Sequence, residues 1–315
     1  MVTALILVGF ALFGLGATTA HLTRQAEADF PATGRMITAG GLQQHVIERG
    51  DATDDRPVLV MIHGAYGAAG DFAISLMPLV EGRFHAVAVD RPGHGYSERG
   101  EAATPERQAQ ALHAAMIALG IKRPILLGFS FGGAVALSYA LQYPNDTAAV
   151  VLINPASHPW RDGLTLPFGI TDAPLLGPVV RNTLVTPVGH LLKDAGAERV
   201  FRPGSVPPAF SQAPLALSLR PVSYAANTED IRQLDGFLRR QAPLYPDLRL
   251  PVEIVVDEND PSVSPDIHGR RLAREIADAG LIVTRGGGHP LHFSRPDAVL
   301  QAIDRAAQRA GLRPR

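Results

Sequence analysis

Ser130, Asp260 and His289 are the residues whose types and settings could carry nucleophilic chemistry. Ser130 lies in Gly128-Phe129-Ser130-Phe131-Gly132, a G-x-S-x-G pattern. An apolar run from Ile125 to Leu127 enters it, and an apolar-periodic segment from Ala134 to Leu141 leaves it. Strand, sharp turn and helix in that order would lift a serine hydroxyl out of a sheet and into a cleft. Gly128 and Gly132 remove Cβ atoms where the two backbones crowd the serine. The amide of Phe131 would fall at the helix N-terminus, where partial positive charge can hold a developing oxyanion. A serine is a weak nucleophile alone, so it needs a base in hydrogen-bond reach and a carboxylate to orient that base. Asp260, in Val256-Asp257-Glu258-Asn259-Asp260-Pro261, follows one expected strand, and His289, after Gly286-Gly287-Gly288, follows another. Singly, these are a turn, a capping aspartate and a loop histidine. Each sits just past a parallel strand, so together they would meet on one face of a sheet.

The elements that must position them alternate along the chain. Arg35–Thr38 and Gln44–Glu48 alternate apolar and polar residues around Ala39-Gly40-Gly41 and read as an antiparallel hairpin. Val58–Ile62 is a continuous apolar run, as a buried parallel strand should be. A helical stretch near Phe72–Val80, the strand His85–Val89 and a helix over Pro105–Leu119 come before the serine turn. After it come the strand Ala148–Ile153 and, beyond an interruption, the strand Val252–Val256. A helix near Pro265–Ala279, the short strand Leu281–Thr284 and a helix over Pro296–Ala310 complete the series. Such alternation implies an α/β fold with a doubly wound, mostly parallel sheet. The interruption, residues 156–250, is rich in proline and too long for a loop, so it reads as a mostly helical lid over the strand ends. The core is then split into 35–155 and 251–315.

Near-zero net charge gives no electrostatic case for nucleic acid, and the absence of cysteine excludes disulfides and thiolate metal sites. Val2–Ala20 carry no charge and as a helix would span about 28 Å, close to a bilayer core. Residues 1–22 are therefore expected to be a single-pass membrane anchor, with 23–34 as a linker. A cleaved signal, leaving a secreted or periplasmic protein, is the alternative, but no Lys or Arg precedes the apolar run. Arg24 and Arg35 follow it, which favours the cytoplasmic side for the main domain but leaves the orientation open.

From Arg35 to the C-terminus the chain resembles the α/β-hydrolase superfamily, in the lidded group of esterases, haloperoxidase-like enzymes and carbon–carbon bond hydrolases. The order Ser130, Asp260, His289 matches the chain order of that superfamily. His63-Gly64-Ala65 resembles its HG-x turn, which implies an oxyanion hole formed by the amides of Ala65 and Phe131. Asp90-Arg91-Pro92-Gly93-His94-Gly95-Tyr96-Ser97 resembles its structural D-x-x-G-x-G-x-S turn, and Gly288-His289 followed by Pro296 resembles its histidine loop. Where the family often has Gly-x-x-Asp at the acid, this chain has Asp257 in the glycine position, so Asp257 is the alternative to Asp260. A serine at the elbow sets aside the epoxide hydrolases and haloalkane dehalogenases, which resemblance gives a carboxylate there.

The expected activity is hydrolysis of a carboxylic ester or related acyl bond, without cofactor or metal, at a rate that rises as the imidazole base loses its proton. His63, His94 and His292 lack zinc-helix spacing, and His292 reads as a surface loop residue. Tyr66 and Trp160 are candidates for substrate contact, and Phe168, Phe210, Tyr224 and Phe237 could add apolar lining, although each also reads as packing. The substrate is expected to be a small lipophilic acyl compound. Carbon–carbon hydrolysis, perhydrolysis and a catalytically silent binding protein of the same fold remain alternatives. A dinucleotide-binding reading, with Gly64, Gly67, Gly70 and Asp90, has the wrong glycine spacing and leaves the serine turn unexplained.

Overall fold

Short runs of Val, Ile and Leu bounded by Gly, Pro and Asp become the strands. The computed structural model describes residues 2–50, 56–160, 169–171 and 173–313. The strands are β1 (Arg35–Ala39), β2 (Leu42–Arg49), β3 (Val58–Ile62) and β4 (His85–Val89), then β5 (Ile125–Phe129), β6 (Ala149–Ile153), β7 (Val252–Asp257) and β8 (Ala279–Thr284). They form one eight-stranded sheet in the order β1-β2-β4-β3-β5-β6-β7-β8. β1 pairs with β2, and β2 with β4, antiparallel; all other neighbours run parallel. The doubly wound, mostly parallel sheet is thus as expected.

Strand periodicity divides the core into two layers. Leu126 of β5 belongs to the same buried layer as Leu112 and Val135, whereas Ile125 and Leu127 belong to the layer of Phe72 and Val299. The helices over the strands are α2 (Ala69–Ile74), α3 (Met77–Val80), α4 (Pro105–Ala118) and α5 (Phe131–Gln142), with α10 (Gly269–Glu275), α11 (Leu291–Ser294) and α12 (Pro296–Arg309) later in the chain. α12 buries a stripe of Val299, Ala302, Ile303 and Ala306 at helical spacing. Full burial of a side chain such as Ile303 contributes roughly 1.5–3 kcal/mol.

The chain passes from β3 to β4 on one side and then to β5 on the other side of β3. Strand order therefore reverses between β3 and β5, and a crevice opens at their carboxyl ends, where ligands bind in open α/β sheets.

Two helices differ from the sequence reading. The stretch near Phe72–Val80 is two short helices, broken before Pro78, whose missing N–H cannot continue the first. The helix expected over Pro265–Ala279 is confined to Gly269–Glu275, because Ile276 turns extended and β8 pairs with β7 from Ala279 onward.

Between β6 and β7 the described residues form helices and no strand: α6 (Leu176–Val180), a π-helical turn (Arg181–Val185), α7 (Thr186–Phe201), α8 (Leu215–Ser218) and α9 (Pro221–Gln241), with two 3-10 segments. The N-terminal helix α1 (Val2–Asp29) runs through most of the expected 23–34 linker. Its Ile6–Asp29 stretch is long and apolar enough to cross a membrane by length and composition. The described side chains of its first half are mostly exposed, whereas its second half rests on the π turn, α7 and α8. Ala26 is buried, Thr19 Oγ1 donates to the Thr183 carbonyl at 3.2 Å, and Arg220 pairs with Glu27 at 2.9 Å.

Candidate active site

The site begins at the junction of β5 and α5. Ser130 has φ 52° and ψ −116°, a conformation that costs an L-residue free energy and persists only when its surroundings enforce it. They do: its amide donates to Ile153 at 3.0 Å, and its carbonyl accepts from Gly133 at 2.9 Å and Ala156 at 3.1 Å. A Cβ on Gly132 would strike the carbonyl oxygens of Ile62 and His63, and one on Gly128 the carbonyl of Gly132. The glycines thus allow α5 to start against the end of β3, with the Ser130 side chain turned outward.

The structure brings the three candidate groups together. His289 Nε2 lies 2.9 Å from Ser130 Oγ, and His289 Nδ1 lies 2.6 Å from Asp260 Oδ2. With a carboxylate as acceptor at Nδ1, that nitrogen carries the proton and Nε2 is free to take one from the hydroxyl. The Asp260 side chain is fully buried, and its Oδ1 accepts from the amides of Ser262 at 2.7 Å and Val263 at 3.0 Å. Its turn role and its contact with His289 therefore use different oxygens.

Asp257, the alternative acid, faces elsewhere. Its Oδ2 accepts from Gly287 N at 2.8 Å and Thr284 Oγ1 at 2.9 Å, and its Oδ1 accepts from Asn259 N at 3.0 Å. It braces the loop that carries His289. Asn154, which the sequence reading passed over, completes this brace. Its Nδ2 donates to the carbonyls of Gly288 at 3.1 Å and His289 at 2.8 Å, and its Oδ1 accepts from Asp257 N at 2.9 Å. The available signal was its place directly after β6, level with Ser130 after β5.

Ala65 and Phe131 border the same cavity as Ser130 and His289. Phe131 is the first residue of α5, so its amide has no partner within the helix. The Gly64 carbonyl accepts from Arg91 Nη2 at 3.0 Å. In a trans peptide the C=O and N–H point in opposite directions, so the Ala65 N–H is aimed away from Arg91. Tyr66, at φ 56°, donates its own amide to Asn227 Oδ1 of α9 at 2.8 Å.

Arg91 is the centre of a buried clasp between this loop and the lid. It donates from Nε to the His63 carbonyl at 3.0 Å and from Nη1 to Asp230 of α9 at 2.7 Å, and its guanidinium lies 4.4 Å from the Phe131 ring centroid. Burial, and then the Arg91 charge, push His63 and His94 well below the usual imidazole range, so both are neutral. His63 Nε2 accordingly accepts from the Arg91 amide at 3.0 Å. Asp90 is committed inside the fold, to His45 at 2.6 Å and to the amides of Ala69 at 2.7 Å and Tyr96 at 2.9 Å. Among the described residues no group of His, Asp and Glu is arranged to hold a metal ion.

The cavity over Ser130 has a volume of about 660 Å³. Tyr66, Trp160 and Phe210 border it, with Leu192, Val200, Leu219, Leu234 and Phe293. Tyr224 lies near Tyr66, with ring centroids 6.3 Å apart and the planes tilted by 54°, and Phe237 is packed in the core. Phe168 lies outside the described residues. His292 corrects the sequence reading. It is buried rather than on the surface, among Phe72, Phe129 and Phe293, and it borders the cavity. Its Nδ1 has no hydrogen-bond partner, and burial, then His289, push its pKa down to about 3, so it is neutral. Asp71, also on the cavity wall, is shifted the other way: burial, only partly offset by the Ala68 amide, raises its pKa to about 7.

Comparison with known proteins agrees with this architecture. Residues 59–302 match the sequence model of the alpha/beta hydrolase family. A 2-hydroxy-6-oxononadienedioate/2-hydroxy-6-oxononatrienedioate hydrolase of Klebsiella pneumoniae is 28% identical over 285 residues, covering 86% of this chain and 94% of that protein. A 1-acylglycerol-3-phosphate O-acyltransferase of Arabidopsis thaliana is 36% identical over only 112 residues, 34% of this chain and 27% of that protein. The crystal structure of Cfl2 from Burkholderia cenocepacia superposes with a TM-score of 0.72 at 22% identity, covering 88% of this chain and 97% of Cfl2, which is a likeness of fold.

Proposed function

The chain belongs to the alpha/beta hydrolase family, and from that premise we propose that it is a serine hydrolase that cleaves a carboxylic ester or related acyl bond through an acyl-enzyme intermediate. The observation that carries the reading is the hydrogen-bonded series Ser130 Oγ, His289 Nε2, His289 Nδ1 and Asp260 Oδ2, at 2.9 and 2.6 Å. Ser130 Oγ attacks the acyl carbonyl while His289 Nε2 takes the hydroxyl proton, and Asp260 stabilises the imidazolium that forms. The amides of Ala65 and Phe131 receive the tetrahedral oxyanion; one such donor contributes about 3–4 kcal/mol of transition-state stabilisation. His289 then protonates the leaving alkoxide, the ester C–O bond breaks, and water activated by the same imidazole releases the acid. No step requires a cofactor. The apolar cavity walls favour a lipophilic acyl substrate, and α1 serves as a single membrane anchor.

Fluorophosphonate labelling mapped by mass spectrometry, with turnover of p-nitrophenyl esters, tests this reading. Wild type should label at Ser130 and turn over, and Ser130→Ala should do neither. Turnover that survives in Ser130→Ala would refute it. Carbon–carbon bond hydrolysis is the second reading, favoured by the 28% identity to the Klebsiella enzyme over most of both chains. A diketone panel that is turned over faster than every ester would select it.

A further inference from the structure

The lid carries an apolar face that its own fold leaves uncovered. From Leu176 the chain runs helically through α6, the π turn and α7 to Phe201. Leu184, Val188, Leu191 and Leu192 follow one another at helical spacing on that run, and Leu175 and Leu176 stand at its start. Leu175 is 87% exposed, Leu191 83% and Leu192 60%. Aliphatic side chains held in water at that density mark an interaction surface rather than chance exposure.

Two neighbours of this face say what covers it. The first is α1, which packs on the same π turn and on α7, with Thr19 bonded to the Thr183 carbonyl. Residues before that contact, among them Ile6, Phe10 and Phe13, are exposed and apolar. If Val2–Ala20 cross a bilayer, Thr19 lies where the helix leaves it, and the lid face is fixed at that level. A face there sits at the boundary of headgroups and acyl chains, where amphipathic helices insert roughly 5–10 Å. The second neighbour is the cavity: Gly189, Leu192 and Lys193 border it from the same helix.

We propose that the α6–α7 face of the lid docks into the lipid bilayer beside α1, so that the cavity mouth opens at the membrane surface and takes its acyl substrate from the bilayer. The substrate part of this inference rests on the hydrolase reading above; the docking part rests on the apolar face and α1. Leu175 and Leu191 would enter the acyl region, with Leu192 at the rim between lipid and cavity.

The chain has no cysteine, so a single introduced thiol labels uniquely. Full-length Leu191→Cys, Leu175→Cys and Gln308→Cys, each carrying an environment-sensitive fluorophore, are reconstituted into phosphatidylcholine/phosphatidylglycerol vesicles with spin-labelled lipids as quenchers. Gln308 is exposed in the last turn of α12, next to Arg309, which bonds the carbonyl of Val252 at the amino end of β7, the edge opposite the site. Labels at 191 and 175 should shift to the blue and be quenched several-fold, and the label at 308 should do neither. Equal quenching at all three positions, or none, overturns docking. Protection of 191 in detergent together with cross-linked dimers would assign the face to a second copy instead.

In the second arm, Leu175→Asp with Leu191→Asp should lose ~10-fold or more activity on a long-chain ester presented in vesicles, because apolar insertion is removed. Hydrolysis of water-soluble p-nitrophenyl acetate should stay within about twofold, since neither leucine borders the cavity. Equal loss on both esters, or on neither, overturns delivery from the bilayer. A wild type inactive on every ester refutes the ester-hydrolase reading, while the quenching arm still decides the docking.

Discussion

The backbone amide of His289 donates to the carbonyl of Val200 at 2.8 Å, so the last turns of α7 hold the loop that carries the imidazole. Lid and candidate base are therefore mechanically joined. Gly288, at φ 71°, makes the approach possible, since a Cβ there would meet Val200 O at 2.6 Å and Phe201 Cα at 2.8 Å. Gly288→Ala should push loop and lid apart. A displacement near 1 Å costs on the order of 100-fold in rate. The expected result is that loss in kcat on a soluble ester, with the circular dichroism spectrum unchanged.

Asp260→Asn and Asp257→Asn should separate the two carboxylates. At position 260 an amide removes the charge that fixes the His289 tautomer, a change worth about 10⁴-fold in kcat, with little loss of stability. At position 257 an amide would set N–H groups against the donors Gly287 and Thr284. The expected cost is about 1–3 kcal/mol of stability and a much smaller loss of rate. Paired kcat and melting measurements check both. A larger loss of rate at position 257 than at 260, with both folds intact, would make Asp257 the acid.

Asp71 should make the protein less stable as pH rises. Its carboxyl holds a proton up to about 7 when folded, against 3.8 as its ordinary value. Between those values the native state binds more protons than the unfolded chain, so stability falls with rising pH across that window and levels off above it. Asp71→Asn should then gain about 1–2 kcal/mol at pH 8, a figure discounted because the side chain borders the cavity, and nothing at pH 4. Thermal unfolding at the two pH values reads the difference.

His45 and Asp90 should give a dependence that protects at low pH. Burial disfavours the His45 cation, but the Asp90 hydrogen bond and charge, with the Thr33 carbonyl, outweigh it and raise its pKa above 6.5. Both ring nitrogens face acceptors at 2.6 Å, as an imidazolium requires. A raised pKa stabilises fully below the unfolded value and ceases to do so as pH climbs through the folded one. His45→Gln should therefore cost about 3 kcal/mol at pH 5.5 and less at pH 9 in denaturant titrations.

Much of the fold was legible because its signals are local. The apolar runs of β3, β5, β6 and β7 mark buried strands wherever they occur, and β5 and α5 meet within two residues of Ser130. The less legible elements were those whose limits are set by partners distant in the chain. α10 stops at Glu275 because β8 is drawn into pairing with β7, and α1 continues to Asp29 because the lid supports it. Burial of His292 could not be read from a loop of glycines and prolines, since Phe72 and Phe129, which enclose it, come from α2 and β5.

The amino-acid sequence by itself determined the strand–turn–helix around Ser130, the alternation that yields a doubly wound sheet, and the apolar N-terminal helix, because propensity, periodicity and glycine placement act over a few residues. Only the tertiary structure decided that Asp260 rather than Asp257 faces His289, that Asn154 braces the histidine loop, and that α7 holds it from above. Those choices depend on distances of about 3 Å between segments dozens of residues apart, and such distances exist only once the lid and both core layers have packed.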